Sequence, residues 1–338
     1  MASDVKADVK ADVKADVKAA MTAKRRPGAP PGLVVGTMNF GGRTPPEEAE
    51  RIVHRAIERG ITAFDTANLY QDGASERILG RALRGRRAEV QIATKVGLRR
   101  VRGKAEGLGR AQVIRALEES LGRLGTDHVD VYYLHAPDPE TPVEETLAAI
   151  DALLEQGKIL HVGVSNHASW QILELIARRD AEGKARPAVS QVLYNALIRQ
   201  LDLEYAAFAR RYSVPTAVYN PLAGGLLTGR HAGPDATQAG SRFEDNRLYQ
   251  RRYWSGRMFE LAASYAAVAA DEGMSLLELS YAWLAGRDVV DSIVVGPVRV
   301  EHLDAAADAT RRAISPEAAR RVDALHRDHL GTDASYAR

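Results

Sequence analysis

Four polar side chains that follow three apolar runs could together handle a carbonyl group. Asp65 ends the run ITAFD, and Lys95 ends VQIATK. Tyr70 follows Asp65 by five residues, and His135 ends YYLH. A buried carboxylate without a partner is costly, so Asp65 should meet a cation, and Lys95 lies within reach if the two runs are neighbouring parallel strands. The alternative is a purely structural ion pair that closes a layer of a barrel.

The chemistry that this set supports is protonation of a carbonyl oxygen. The ordinary pKa of tyrosine is near 10, and a nearby ammonium favours the phenolate, so Lys95 is predicted to lower the pKa of Tyr70. Asp65 would hold the ammonium in place, and a neutral His135 could donate an N–H to the carbonyl oxygen. None of these groups supplies a hydride, so reduction of the carbonyl needs a cofactor that does.

The elements that must position these residues alternate between apolar strands and amphipathic helices. From LVVG at 33–36 to DSIVVGP at 291–297, eight strand-type runs are each followed by a helical pattern. Short apolar strands with helical crossovers predict parallel pairing, and eight units predict a closed (β/α)8 TIM barrel of the α/β class. The competing doubly wound sheet typically has a glycine-rich first turn, and no G-x-G-x-x-G follows LVVG. In a barrel, the C-terminal strand ends gather the polar residues at one mouth.

Composition limits the classes of function. The 338 residues are 45% hydrophobic and 27% charged, which is enough for a sizeable single core. A formal net charge of +2 gives no reason to expect nucleic acid, and the absence of cysteine excludes disulfides, thiol catalysis and thiolate metal sites. We expect no metal. Without a membrane-length apolar run or a signal-peptide core, we expect no membrane partner and a cytoplasmic location.

The N-terminus carries four DVKA units in series before Met21. One valine per helical turn buries too little surface to hold a fold, so residues 1–27 are predicted to form a mobile, low-complexity tail. The barrel domain is predicted over 28–330, and a short C-terminal tail over 331–338.

Eight motifs occur in order over about residues 30 to 310: GTMNFGG, FDTANLYQDGASERILG, IATKV, DVYYLHAPD, GKILHVGVSN, QVLYN, NPLAGGLLTGR and SIVVG. Together they resemble the aldo-keto reductase superfamily. Within it, PVEETL, NPLAGGLLTG and RRYW resemble the aflatoxin-aldehyde-reductase branch. The resemblance implies a catalytic tetrad of Asp65, Tyr70, Lys95 and His135, with Tyr70 as the general acid. Potassium-channel β-subunits are more distant relatives that share the barrel. The branch commonly dimerises, which implies a homodimer.

The resemblance also implies a site for NADPH (NADP+). Tyr219 matches the aromatic residue that stacks on the nicotinamide, the glycine-rich segment would admit the pyrophosphate, and Arg299 would pair with the 2′-phosphate. As alternatives, the polar residues at the strand ends could simply cap the strands, and Arg299 could be a solvated surface arginine. The predicted cofactor residues are Gly36, Thr37, Met38, Asp65, Ser165, Asn166, Gln191, Tyr219, Asn220, Pro221, Leu222, Gly224, Gly225, Leu226, Gly229, Arg230, Gly296, Arg299 and His302.

The implied substrate is a small-molecule carbonyl compound. Arg242 matches an arginine thought to receive a substrate carboxylate, although it could instead belong to a charged loop that touches only cofactor or solvent. Trp254 could form an apolar wall or could pack in the core. The predicted substrate residues are Met38, Tyr70, His135, Arg242 and Trp254.

The implied activity is reduction of an aldehyde or ketone by an NADP-dependent oxidoreductase acting on CH–OH groups. A cofactor-binding regulatory subunit and a sugar-ketone reductase in a biosynthetic pathway are the alternatives.

Overall fold

A computed structural model of the chain describes residues 21–332, with the exception of 102, 232 and 236. Most of the predicted N-terminal tail, at 1–20, and residues 333–338 of the predicted C-terminal tail lie outside the described residues. Within the described ranges, no helix combines the length and the apolar character needed to cross a bilayer.

Eight parallel strands close into one barrel, and their order around it follows the chain, with the first strand paired to the last. The predicted (β/α)8 TIM barrel is therefore confirmed. The strands are β1 (Gly32–Gly36), β2 (Ala63–Asp65), β3 (Gln91–Val96), β4 (Val129–Leu134), β5 (Ile159–Ser165), β6 (Val189–Leu193), β7 (Thr216–Tyr219) and β8 (Ser292–Val295).

Helices surround the barrel and cover its outer face. They are α1 (Pro46–Glu58), α2 (Ala74–Ala82), α3 (Arg110–Leu124), α4 (Val143–Glu155), α5 (Ser169–Ala181), α6 (Tyr205–Arg211), α7 (Arg247–Tyr253), α8 (Gly256–Asp271), α9 (Leu276–Ala285), α10 (Val300–Ala309) and α11 (Pro316–Leu330). Short 3-10 turns occur at Tyr70–Gly73, Arg87–Glu89, Gln200–Asp202 and Ala223–Thr228. An antiparallel hairpin pairs Arg100–Val101 with Lys104–Ala105.

The barrel lumen has its own small apolar cluster, separate from the large core between strands and helices. Alanine and valine side chains from seven strands fill most of it, together with Tyr133. Met21 is buried within the same cluster, with 3% of its surface exposed, and it closes the floor of the barrel. The lumen is thus largely apolar, and the predicted site residues lie at the C-terminal mouth, opposite the floor.

The segment that follows the DVKA units contacts the barrel floor. The Met21 amide donates to Gln91 Oε1 at 3.2 Å, and the Arg25 amide donates to Asp291 Oδ1 at 2.8 Å. Lys24 Nζ pairs with Asp291 Oδ2 at 3.1 Å. Met21, Lys24 and Arg25, which the sequence assigned to the tail, therefore contact the barrel.

Candidate active site

The ion pair of Asp65 and Lys95 lies at the mouth of the barrel. Lys95 Nζ donates to Asp65 Oδ1, and the two side chains are 0% and 3% exposed. Nζ also donates to the carbonyl oxygen of Thr66 at 2.8 Å. In the strand register Asp65 lies opposite Ala93, so the lysine reaches the carboxylate diagonally from two residues further along β3. The structure thus gives Asp65 the cation that its burial requires.

Tyr70 and His135 join this pair. The Tyr70 hydroxyl lies 3.5 Å from Lys95 Nζ, and the rings of Tyr70 and His135 are 6.1 Å apart, nearly perpendicular. Tyr70 opens the 3-10 turn Tyr70–Gly73, in which Gln71 and Asp72 take left-handed backbone angles with φ of 49°. The structure therefore brings all four predicted catalytic side chains together.

The pKa values of these groups follow from burial and from charge. Burial raises the pKa of Tyr70 and outweighs the opposing effect of Lys95, so the net direction is upward. The effect of Lys95 has the predicted sign, but the prediction of a lowered pKa was wrong because it left out burial. Burial would lower the pKa of Lys95, yet Asp65 and Tyr70 reverse this and raise it. Burial, and then Lys95, hold the pKa of His135 well below its usual range, so that ring is neutral at pH 7.

The turn that carries Tyr70 is held by polar residues that sequence reasoning missed. Ser75 Oγ donates to the carbonyl oxygen of Thr37 at 2.8 Å and lies 3.1 Å from Thr66 Oγ1. Asn68 Nδ2 donates to Glu106 Oε1 at 2.8 Å, and this oxygen also accepts from the backbone of Gly97. Ser75 lies within a motif already singled out, whereas no local pattern distinguishes Glu106. These bonds fix the loops after β1, β2 and β3 relative to one another.

The predicted nicotinamide residues lie on the neighbouring strand ends, with Ser165 opposite Gln191 in the register of β5 and β6. Asn166 Nδ2 donates to the carbonyl oxygen of His135 at 2.9 Å, and Asn166 Oδ1 accepts from the Tyr219 hydroxyl at 2.8 Å. Gln191 Nε2 donates to Asp65 Oδ2 at 2.8 Å. A contact between Gln191 and the Asp65 carboxylate was not predicted.

The glycine-rich segment at 220–230 forms a tight turn after β7. Asn220 has φ of 63°, and its Oδ1 accepts from the Gly224 amide at 2.7 Å. Gly224 and Gly225 have φ of 72° and 112°, and a Cβ on Gly224 would lie 2.8 Å from the Tyr249 ring. Both conformation and space therefore require glycine here. Leu226 is buried, so only its backbone could face a ligand. The same segment contains the other predicted cofactor residues, which are Pro221, Leu222 and Gly229.

A cluster of cations lies beside this turn, and it includes Arg43, which sequence reasoning missed. Burial lowers the pKa of Arg43, and the charges of Arg242 and Arg230 lower it further. Burial, followed by Arg299, Arg230 and Arg43, lowers the pKa of His302. Within the described part of the chain, the side-chain hydrogen bonds of Arg43, Arg230 and Arg242 go to neutral groups. Three arginines that form no ion pair with a carboxylate among the described residues suit an anion such as phosphate.

Arg242 crosses the mouth from the loop at 240–246 to the loop after β1. Its Nη2 donates to Asn39 Oδ1 at 2.5 Å, and its Nη1 lies 3.2 Å from the Tyr249 hydroxyl and 3.3 Å from Met38 Sδ. Met38 is 40% exposed, so its side chain can meet a ligand.

Trp254 lies elsewhere, in an aromatic cluster beneath the loop at 240–246. Its ring is 4.4 Å from that of Phe243 and 5.0 Å from that of Phe259, measured between centroids. Its Nε1 donates to the carbonyl oxygen of Pro234 at 2.8 Å. Trp254 is therefore partly buried against the core, and its predicted place in a substrate wall stays a prediction.

Comparison with known proteins adds to the geometry. The model of the Aldo/keto reductase family matches residues 32–327. The chain is 37% identical over 289 residues to aflatoxin B1 aldehyde reductase member 2 of Homo sapiens, covering 80% of this chain and 79% of the relative. It is 36% identical over 294 residues to human aldo-keto reductase family 7 member A3, covering 82% and 87%. A probable voltage-gated potassium channel subunit beta of Arabidopsis thaliana is 30% identical over 280 residues, covering 79% and 85%.

Proposed function

The chain belongs to the aldo/keto reductase family, a family of oxidoreductases, and from that premise we propose that it catalyses the NADPH-dependent reduction of an aldehyde or ketone to an alcohol. The observation that carries the proposal is the meeting of Tyr70, Lys95, Asp65 and His135 at one mouth of the barrel. A structural ion pair alone would need neither the phenol nor the imidazole at this place.

The residues present suit a nicotinamide cofactor at both of its ends. Asn166, Gln191 and Tyr219 would hold the nicotinamide end at the rims of β5 to β7. The glycine turn and the cation cluster would hold the phosphates, and Arg43, Arg299 and His302 favour the additional phosphate of NADPH over NADH. When bound, the cofactor supplies the hydride that the carbonyl carbon accepts.

Tyr70 acts as the proton donor to the carbonyl oxygen. A raised pKa keeps its hydroxyl protonated at neutral pH, so the proton is available when negative charge develops on the oxygen. Lys95, whose ammonium lies 3.5 Å from this hydroxyl, stabilises the phenolate that remains. Asp65 keeps that ammonium charged and in place, and solvent returns the proton to Tyr70 after the product leaves.

His135 orients the substrate. Its neutral ring lies at the mouth beside Tyr70 and can donate an N–H to the same carbonyl oxygen. Two donors to one oxygen fix the carbonyl for attack at its carbon.

Arg242 selects for substrates that carry an anionic group. Its guanidinium lies at the mouth next to the exposed Met38 and is bonded only to neutral partners within the described residues. A substrate carboxylate would supply the missing counter-charge through a bidentate pair. The name of one human relative, aflatoxin B1 aldehyde reductase member 2, refers to an aldehyde, which supports an aldehyde as the reacting group.

The test is a panel of aldehydes and ketones, with and without carboxylates, followed through the absorbance of NADPH and, in parallel, of NADH. We expect turnover with NADPH and a loss of at least about 1,000-fold in kcat for Tyr70→Phe, since general acid catalysis contributes on that order. The variant should still bind NADPH. Undiminished turnover in Tyr70→Phe would refute the role of the phenol.

The same panel separates the alternatives. Tight NADPH binding without turnover of any carbonyl compound would favour a cofactor-binding regulatory subunit. Turnover confined to sugar ketones would favour a reductase within a biosynthetic pathway.

A further inference from the structure

We propose that Glu76 and Arg123 form a clamp outside the barrel that positions Tyr70 for proton transfer. Both act through other residues, so they are positioning residues rather than catalytic ones. This inference rests on the proposed function, because the place of Tyr70 affects turnover only if Tyr70 is the proton donor. It goes beyond that function by assigning a role to an ion pair between two of the surrounding helices.

Glu76 is a fully buried carboxylate near the start of α2, shortly after Tyr70 in the chain. Its Oε2 accepts from Arg123 Nε of α3 at 2.5 Å, and its Oε1 accepts from the hydroxyl of Thr94 on β3 at 2.6 Å. Each carboxylate oxygen therefore has a donor on a different element. A buried carboxylate is costly without such partners, so these bonds fix the start of α2 against both α3 and β3.

Arg123 connects this ion pair to the turn that carries Tyr70. A Cβ on Gly73 would lie 2.6 Å from Arg123 Cδ and 2.8 Å from Arg123 Nε, so the arginine side chain packs directly against the backbone of Gly73. Gly73 has φ of 80°, so its conformation as well as its surroundings requires glycine. The next residue, Ala74, donates its amide to the carbonyl oxygen of Tyr70. The nitrogen that binds Glu76 thus also faces the turn.

The backbone between Tyr70 and α2 has a conformation that its surroundings must enforce. Gln71 and Asp72 each have φ of 49°, which is a left-handed conformation that residues with a side chain rarely adopt. Such a conformation persists only where neighbouring structure determines it. Glu76 anchors the helix that follows this segment, and Arg123 packs against the turn itself. The clamp therefore supplies the support that the turn requires.

The position of the turn determines whether the Tyr70 hydroxyl meets Lys95. The hydroxyl lies 3.5 Å from Lys95 Nζ, which is already longer than an ideal hydrogen bond, so a small displacement would remove the contact. Thr94, which donates to Glu76, directly precedes Lys95 on β3. The clamp thus locates the phenol relative to the ammonium. A misplacement of about 1 Å at a reacting group can reduce a rate by on the order of 100-fold.

The test compares Glu76→Gln with Asp151→Asn. Glu76→Gln keeps the shape of the side chain and removes the charge that binds Arg123. Asp151 on α4 likewise pairs with a buried arginine of the following helix, Arg179, at 2.6 Å, and its other side-chain partner is Lys184. Both variants replace a carboxylate with an amide in an ion pair between neighbouring helices, so both should lose stability. Only Glu76→Gln should disturb the turn.

Two readouts decide the question, both at a temperature where all the proteins are folded. We expect kcat to fall about ten-fold in Glu76→Gln, with the Kd for NADPH unchanged, and to stay at the wild-type value in Asp151→Asn. Independently of turnover, 3-fluorotyrosine is introduced at position 70, and its fluorine resonance is followed while the pH is raised. The midpoint of this titration depends on the distance to Lys95 and on burial, so it should move in Glu76→Gln only.

A wild-type kcat or a wild-type titration midpoint in Glu76→Gln would overturn the proposal, whatever the melting temperature. Absence of carbonyl turnover in the wild-type protein would refute the proposed function instead, while the fluorine titration would still decide the role of Glu76. If Glu76→Gln does not fold, Thr94→Val takes its place, because it removes only the hydroxyl that donates to Glu76. Its control is Thr310→Val, which removes a buried hydroxyl that donates to the carbonyl oxygen of Ala306 at 2.6 Å. The same two readouts should then change in Thr94→Val only.

Discussion

At Tyr70, two opposing effects act on one phenol. The ammonium of Lys95 lowers the pKa of Tyr70, as the type and spacing of the lysine predicted. Burial of the phenol at the mouth raises that pKa by more. Sequence alone identifies the charged neighbours of a residue, since strand ends converge, but it does not give the extent of burial. For that reason the four members of the site could be predicted, whereas the net direction of the pKa shift could not.

The raised pKa of Tyr70 has a measurable consequence for the pH dependence of reduction. The proposed proton donor must be protonated, and burial raises the pKa of Tyr70 from its ordinary value of about 10, so kcat should stay level through neutral pH and fall only in more alkaline solution. Steady-state rates in overlapping buffers from pH 6 to pH 10.5, within the range where the fold persists, would test this. A fall in kcat centred below about pH 9 would contradict it.

Arg43 should contribute to cofactor affinity, although it lies outside the recognised motifs. Loss of one charge-assisted contact to phosphate should raise the Kd for NADPH about ten-fold in Arg43→Ala, with a smaller effect on NADH. Fluorescence titration at low and at high salt would measure both constants. Arg210→Ala, which removes an exposed charge from α6, is the control and should leave both unchanged.

At the scale of elements, apolar periodicity located the eight strands and most helices closely. The first and last strand-type runs, at 33–36 and 291–297, overlap β1, Gly32–Gly36, and β8, Ser292–Val295, and the run VQIATK overlaps β3, Gln91–Val96. The helix α7 lies in a polar stretch, where its apolar signal is weak. α11 was not predicted, although Ser315 and Pro316 give a recognisable start. Long-range hydrogen bonds, such as those that Glu106 accepts, leave no pattern in the local sequence.

The crossing of α2 and α3 depends on Gly80. A Cβ there would lie 2.2 Å from the carbonyl oxygen of Leu124, a backbone atom that cannot move without shifting the end of α3. We expect Gly80→Ala to lower the free energy of unfolding by about 3 kcal/mol. Gly122 in α3 has no heavy atom near its missing Cβ, so Gly122→Ala should instead add up to about 1 kcal/mol. Urea unfolding of both variants tests the contrast, and an equal effect of the two would contradict it.

At the scale of the whole molecule, the C-terminal helix is attached by charged groups on one side of the barrel. Asp323 on α11 accepts from Arg199 Nη1 at 2.6 Å, and Arg287 Nη2 lies 3.2 Å from the same oxygen. Next to them His326 is buried, and its Nδ1 has no hydrogen-bond partner among the described residues. The guanidiniums of Arg199 and Arg287 each lie over the ring of Trp283.

His326 should make stability depend on pH. Burial, followed by Arg199 and His329, lowers the pKa of His326 to about 4, with Asp323 opposing and Arg287 adding to the effect. The folded state thus keeps the ring neutral while the unfolded chain takes up a proton below about pH 6.5. Above pH 6.5 the ring is neutral in both states, and the free energy of unfolding does not depend on it. As the pH falls from 6.5 to 4, the free energy of unfolding decreases by at most about 3 kcal/mol, because only the unfolded chain gains the proton.

Urea unfolding at pH 7 and at pH 4.5 measures that loss. His326→Gln has no group to titrate, so it should lose less stability than the wild-type protein between the two pH values. His161→Gln, which removes an exposed ring, should behave like the wild type. Identical losses in all three proteins would contradict the assignment.

The homodimer and the cytoplasmic location stay predictions, because they concern contacts and surroundings that a single chain does not contain. Sedimentation velocity at several concentrations would measure the first.

The closed floor also determines where the chain tolerates cleavage. A protease that cut directly before Met21 would turn its buried amide, which donates to Gln91 Oε1, into a free amino terminus. Such a group has an ordinary pKa of about 8, so at neutral pH a positive charge would be buried at the floor of the barrel. A shortened protein that keeps a few residues ahead of Met21 should therefore melt at a higher temperature than one that begins there. Since the floor is the end remote from the mouth, anchoring the protein to a surface through that extension would leave its reactive end open.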